Sequence, residues 1–209
     1  FCQAAHLKNC LNMSTMGVFG GRGMGQTVGV ADPSQWMRVF GVDIDTRDTT
    51  ELIKTAEAIT REELESLKPR IQSLFGTLPE ETLPNERSLR LYLAIKKILT
   101  RERWDFYTIQ SFPGLGDDYC ATCFAQSLML EAGVPTSTLG DCNTALTTFL
   151  LTKLSRERVY YGDLQHIDVA RKEIKIIGDG AIPPSLAGGV GPAGFAQHGI
   201  PTEGGAGGL

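Results

Sequence analysis

No run of apolar side chains in the 209 residues approaches the length needed to cross a bilayer, so a membrane partner is not expected. Charge of one sign is also missing. Twenty Lys and Arg stand against 24 Asp and Glu, for a formal charge of -4. Aromatics make up 8% of the chain and are not interleaved with a basic stripe, which removes nucleic acid from the expected partners. Cysteine is scarce, with five residues at irregular spacing. An odd, scattered set does not make a disulfide scaffold, and a reducing cytoplasm is the simplest setting. A secretory leader is not evident, but residue 1 is Phe rather than Met, so the chain reads as a piece of a longer one and that absence carries no weight.

Familiar ligand fingerprints are absent too. The loop Gly20-Gly-Arg-Gly-Met-Gly25 lacks the Gly-x-Gly-x-x-Gly spacing of a dinucleotide site, and no Gly-Lys-Ser/Thr follows it. It is either a backbone that approaches a ligand closely or a tight strand-to-helix turn. Arg22 within it either aims a cation at a polar ligand or is solvated. Cys120-Ala-Thr-Cys123 has no second pair, and Cys142 with three scattered histidines does not complete a zinc set. On a helix these cysteines read as small buried side chains, with a redox motif the weaker alternative because Cys120 falls near a helix start.

What is present is a core. Hydrophobic residues are 42% of the chain and charged residues 21%, as in folded soluble proteins. Short apolar strands at residues 16–19, 42–45, 106–110, 134–139, 159–161 and 173–177 alternate with helical patterns. Asp32-Pro33-Ser34 opens a helix that stops at Gly41. Asp48 or Thr49 caps another, and Thr60-Arg-Glu-Glu63 is a capping box. Pro69 should kink or divide the helix that follows. Residues 86–99 are the cleanest amphipathic helix, with Leu89, Leu91, Tyr92, Ile95 and Ile98 inward. A single helix is expected over 117–131. The alternation indicates an α/β fold, Rossmann-like, with a largely parallel sheet flanked by helices. After Ala187 the composition changes: nine glycines lie between Gly188 and Gly208. Such a tail cannot bury enough surface to offset its chain entropy, so it is expected to be disordered or to wrap a neighbouring element.

Acidic residues recur at strand ends. Asp141 follows the 134–139 strand at the start of a helix. There it is either a cap accepting a backbone N–H or a ligand-facing carboxylate at the sheet edge. Asp117 and Asp118 hold the equivalent place after the 106–110 strand. If the strands are neighbours, these carboxylates emerge on one rim. There they could hold a hard divalent cation or share proton transfer. Asp163 and Asp179 are placed at the ends of the next two strands. His166 and His198 read as structural or solvated.

Several segments in order are similar to the middle region of L-fucose isomerase-like proteins. They are Phe19-Gly-Gly-Arg-Gly-Met-Gly25, Ala31-Asp-Pro-Ser-Gln-Trp36, Phe40-Gly-Val-Asp43, Arg90-Leu-Tyr-Leu-Ala-Ile-Lys96, Phe112-Pro-Gly-Leu-Gly-Asp117, Gly140-Asp-Cys-Asn-Thr-Ala-Leu146 and Gly180-Ala-Ile-Pro-Pro-Ser-Leu-Ala187. The resemblance spans residues 16–187. It implies a middle α/β domain at 14–134, the start of a further α/β domain at 135–187 and a Gly-rich tail at 188–209. It also implies aldose–ketose isomerisation of a sugar through an enediol, with Mn²⁺ and a homo-oligomeric whole protein. Asp141 matches the family's metal-binding Asp and would also carry the proton. The family's Glu has no match here, so Asp117 or Asp118 is the substitute, with Asp117 beside Asp141 as metal ligand. The family's third ligand, a His, falls in a domain beyond this chain. Gln110 and Arg22 are expected to bind substrate. The fragment alone is expected to be inactive. The rivals are a sugar-binding module without catalysis and a lyase or epimerase using the same chemistry.

Overall fold

The computed structural model describes residues 1–178 and 181–186, and the backbone of two short antiparallel strands at Phe195–Gln197 and Ala206–Gly208. Four strands make the central sheet: β1 (Thr15–Phe19), β2 (Asp43–Arg47), β3 (Phe106–Ile109) and β4 (Thr136–Ser137). Their order is β2-β1-β3-β4, and every pair is parallel. Parallel neighbours need crossovers, which helices supply. They are α2 (Pro33–Phe40) between β1 and β2; α3 (Thr49–Glu57), α4 (Arg61–Phe75) and α5 (Leu83–Glu102) between β2 and β3; and the single turn α6 (Gly116–Asp118) with α7 (Cys123–Glu131) between β3 and β4. An N-terminal helix, α1 (Cys2–Leu11), precedes the sheet, and α8 (Cys142–Ser155) follows it. The α/β architecture with a parallel sheet flanked by helices is therefore present.

Side chains that alternate along the strands supply both cores. Met16, Val18 and Phe106 face a cluster with Trp36, Val42, Leu146 and Phe149. Phe19, Tyr107 and Ile109 face the larger cluster built from α3, α4, α5 and α7. Gly17 takes its place in this alternation without a side chain because the Trp104 indole lies across it. A Cβ there would sit 1.7 Å from Trp104 Cε3. Local signals set the helix ends. The Asp32 carboxylate accepts from Gln35 N–H at 3.1 Å, and Gly41 ends α2 at φ 72°. Thr60 and Glu63 exchange side-chain and backbone bonds at 3.2 and 2.9 Å at the start of α4.

Several expectations are corrected. Pro69 does not divide α4, which runs unbroken over 15 residues. Pro69 lies on the solvent face, while Leu64, Leu67, Ile71 and Phe75 are buried along the other side, so packing holds the helix where the ring removes one backbone bond. The single helix expected over 117–131 is broken at Tyr119 (φ -138°, ψ -75°). Arg87 holds the break by donating to Tyr119 C=O at 3.0 Å, with its guanidinium 5.0 Å from the Tyr119 ring centroid. Residues 159–161 pair with no strand; the Tyr160 and Tyr161 rings stack at 6.4 Å, whereas a strand would send them to opposite faces.

The next strands are β5 (Asp163–Asp168) and β6 (Glu173–Ile177), and they form a separate antiparallel hairpin rather than extending the parallel sheet. Asp163 thus opens a strand instead of ending one. The division expected after residue 134 falls between α7 and β4, and β4 continues the sheet of β1–β3. Asp179, His198 and most of the glycine tail lie outside the described residues. Among the described residues no helix is long and apolar enough to cross a membrane.

Candidate functional site

The C-terminal ends of β1, β3 and β4 share one rim, and the loops leaving them are packed on one another. The glycine loop after β1 runs under the β4–α8 turn. Gly23 N–H donates to Leu139 C=O and Cys142 N–H to Gly29 C=O, both at 2.8 Å. The Asn143 side-chain amide donates to Val28 C=O at 2.7 Å. A Cβ on Gly29 would lie 2.8 Å from Asp141 Cα, and one on Gly140, at φ 70°, would lie within van der Waals overlap of Gly21 C=O. The glycines therefore permit close approach of backbone to backbone, and the partner they approach is the chain's own Asp141 turn.

Asp141 caps α8. One carboxylate oxygen accepts from Thr144 N–H at 2.9 Å and the other from the Thr144 hydroxyl at 2.8 Å. The Ser137 hydroxyl donates to Asp141 C=O and also contacts the Thr108 hydroxyl at 2.7 Å. Half-buried Asp141 also lines a cavity of about 410 Å³. The cavity lies between α8 and the base of the β5–β6 hairpin. Ser137, Thr138, Thr144, Thr147 and Thr148 line it together with Tyr160 and Tyr161, and Asp163 is a second acidic residue of the lining. Thr147 and Thr148 donate their hydroxyl protons to the Asn143 and Thr144 carbonyls at 2.8 Å. Thr144 gives its own to Asp141. With those protons used inside the protein, these three hydroxyls have only acceptor capacity left to offer.

The other expected site residues lie elsewhere. Asp117 and Asp118 are exposed on the single turn α6 and are not part of the Asp141 cavity. Between β3 and α6, residues 111–115 form a turn in which Leu115 is buried. Arg22 is exposed and outside the cavity. Gln110 is occupied: its Oε1 accepts from Gly21 N–H at 2.9 Å, so it ties the β3 end to the glycine loop. Sequence reasoning flagged Asp163 but missed the threonines. Their signal was the i, i+3, i+4 spacing of 144, 147 and 148, which puts three hydroxyls on one helical face behind the cap.

Among the described residues, no group of three or more His, Cys, Asp or Glu side chains could hold a metal ion. Of the expected Mn²⁺ pair, Asp141 lines the cavity and Asp117 is not among its lining residues. Cys120 and Cys123 are buried, as the reading of small core side chains expected. Burial pushes the Cys120 thiol up to about 12, against a weaker pull from the Ser88 hydroxyl, and also raises Cys142. The chain matches no protein-family model and no curated protein.

Proposed function

We propose that the chain is part of an aldose–ketose sugar isomerase whose substrate enters the Asp141 cavity. One observation carries this: a carboxylate stands at the C-terminal rim of a parallel sheet, on a cavity lined by three threonines whose hydroxyl protons are spent inside the protein. Open α/β sheets bind ligands at that rim, and a polyhydroxy ligand supplies the O–H donors that such a lining calls for. The carboxylate of Asp141 removes the proton from C2 of the open-chain aldose, and the electron pair forms the C1=C2 bond of the enediol. The same group, or Asp163 across the cavity, returns a proton to C1 as the O2 hydroxyl becomes the ketone, and the proton released from O2 replaces the one that O1 took up when the carbonyl became a hydroxyl. A Mn²⁺ ion needs ligands beyond the residues described, from the rest of the protein or a neighbouring subunit in a homo-oligomer. The further α/β domain is proposed to open at the β5–β6 hairpin, since β4 and α8 pack with the first sheet. A reducing cytoplasm accords with five free cysteines.

The test is hydrogen exchange at C2. In D₂O, the full-length protein with Mn²⁺ should place deuterium on C2 of one pentose or hexose in a panel, read by NMR. Asp141→Asn should abolish it. Exchange persisting in that variant would remove Asp141 from the chemistry. Saturable sugar binding with no exchange in the wild type would instead support a binding module. That second reading is favoured by both Asp141 oxygens being engaged by Thr144.

A further inference from the structure

The β5–β6 hairpin is tied to the rest of the fold through its two stems. Before it, Arg158 Nε–H donates to Glu131 C=O at 3.1 Å and lies 3.5 Å from the Glu131 carboxylate. After it, Ser185 N–H donates to the same carboxylate at 2.9 Å, and the Ser127 hydroxyl donates to Ile182 C=O. Glu131 ends α7 and is 6% exposed, so one buried carboxylate fixes both stems. Between the stems, and among the described residues, Asp163–Ile177 make no hydrogen bond or ion pair outside their own hairpin. A glycine stands where each strand meets its stem. A Cβ on Gly162 would lie 2.8 Å from the Ile177 carbonyl oxygen, and one on Gly178 would lie 2.9 Å from that of Tyr161. The two glycines thus bring backbone against backbone at the base of the hairpin, and neither carries a Cβ to limit a change in φ and ψ there. Both walls of the Asp141 cavity also carry apolar surface. Leu151 on α8 is 46% exposed, Ile176 and Ile177 on β6 are 42% and 41% exposed, and all three line the cavity. Apolar surface on two walls of one cleft gains by coming together.

We infer that the β5–β6 hairpin is a lid on the Asp141 cavity. It swings about Gly162 and Gly178 between an open position and a closed one, in which Ile176 and Ile177 pack against Leu151. The Glu131 clamp holds the stems while the two strands move as a unit. Closure expels water from the cavity and moves Asp163, the first residue of β5, with the lid. A ligand that touches both walls favours the closed position through the contacts it gains there. That last step rests on the reading of the Asp141 cavity as a ligand site; the two positions of the lid do not.

Spin labels in the full-length protein report the swing as a distance. One is placed at the hairpin tip by Ala170→Cys and one on α5 by Thr100→Cys, both at exposed positions. Cys2→Ser and Cys10→Ser remove the native thiols that are not buried. Without ligand, pulsed dipolar spectroscopy should show two distances. Ile176→Asp should deplete the closed one at least about tenfold, because closure would bury a charge without a partner. Ile174→Asp, on the same strand but outside the cavity, should leave the distribution unchanged. Ribitol, an open-chain polyol, serves as the probe ligand, with its binding read by calorimetry. At saturation it should raise the ratio of closed to open at least about tenfold. A single distance that Ile176→Asp leaves in place would overturn the lid, as would equal effects of the two aspartate substitutions. Ribitol binding that leaves the distances unmoved would overturn it too. Two distances that respond to Ile176→Asp, with no ribitol binding, would uphold the lid and count against the cavity as a polyol site.

Discussion

Gly17 and Cys120 are decided by what surrounds them rather than by their own chemistry. Gly17 lies in mid-strand, where glycine is ordinarily unfavourable, yet the Trp104 ring takes the volume of its missing side chain. Trp104 cannot swing away freely, since its indole N–H donates to Asp45 at 3.0 Å. Gly17→Ala should therefore cost about 1–3 kcal/mol by overpacking, read as a lower midpoint in urea with an unchanged slope. Cys120 illustrates the same dependence for ionisation. Its thiol is raised in the fold from the ordinary 9.0 to about 12, first by desolvation. A group raised on folding stabilises the native state while protonated. That contribution is complete below pH 9, and it is lost progressively as the pH climbs toward about 12. Cys120→Ala should flatten the alkaline fall in stability measured by denaturation between those values. Under native conditions near neutral pH, Cys120, Cys123 and Cys142 should resist alkylation that labels Cys2.

Among the elements, α4 and the α6–α7 region show which local signals survive packing. The capping box of Thr60 and Glu63 acts within four residues, and no tertiary contact is needed to read it. Pro69 is a breaker by every local rule, yet Leu64, Leu67, Ile71 and Phe75 hold the helix on both sides of it. The residual cost of the ring should be recoverable because position 69 faces solvent. Pro69→Ala is expected to raise stability by about 1–2 kcal/mol, since the restored backbone bond and better propensity outweigh the lost stiffening of the unfolded chain. Thermal unfolding checks it, and a lower midpoint would mean that the ring's packing or its stiffening of the unfolded chain outweighs the missing backbone bond. In the α6–α7 region the opposite happens: residues 117–131 carry no breaker, and the interruption comes from Arg87, 32 residues away, gripping Tyr119.

For the molecule as a whole, stability should be unevenly distributed. The β1 and β3 strands are buried from both faces by the two cores. The β5–β6 hairpin exposes Leu164, Ile167, Ile174 and Ile176 at 42–63%, and among the described residues each of its strands pairs only with the other. An isolated two-stranded hairpin is marginal in water. In native-state hydrogen exchange, β1 and β3 amides should exchange last, through global opening, and β5–β6 amides orders of magnitude sooner, through local opening. Equal protection across both would show that another surface covers the hairpin.

The amino-acid sequence by itself determined the α/β class, the placement of most helices and strands, and the capping box at Thr60, and it narrowed two other caps to Asp32 or Ser34 and to Asp48 or Thr49, because these follow from periodicity and from bonds within four residues. It also singled out Asp141 and Asp163. Only the tertiary structure decided which carboxylates share a cavity. Asp117, Asp118 and Arg22 were displaced from it and Gln110 was consumed by Gly21, since where a loop carries its side chains depends on the backbones it packs against. The hairpin's separation from the parallel sheet was likewise decided by long-range pairing, which no local pattern of alternating residues encodes.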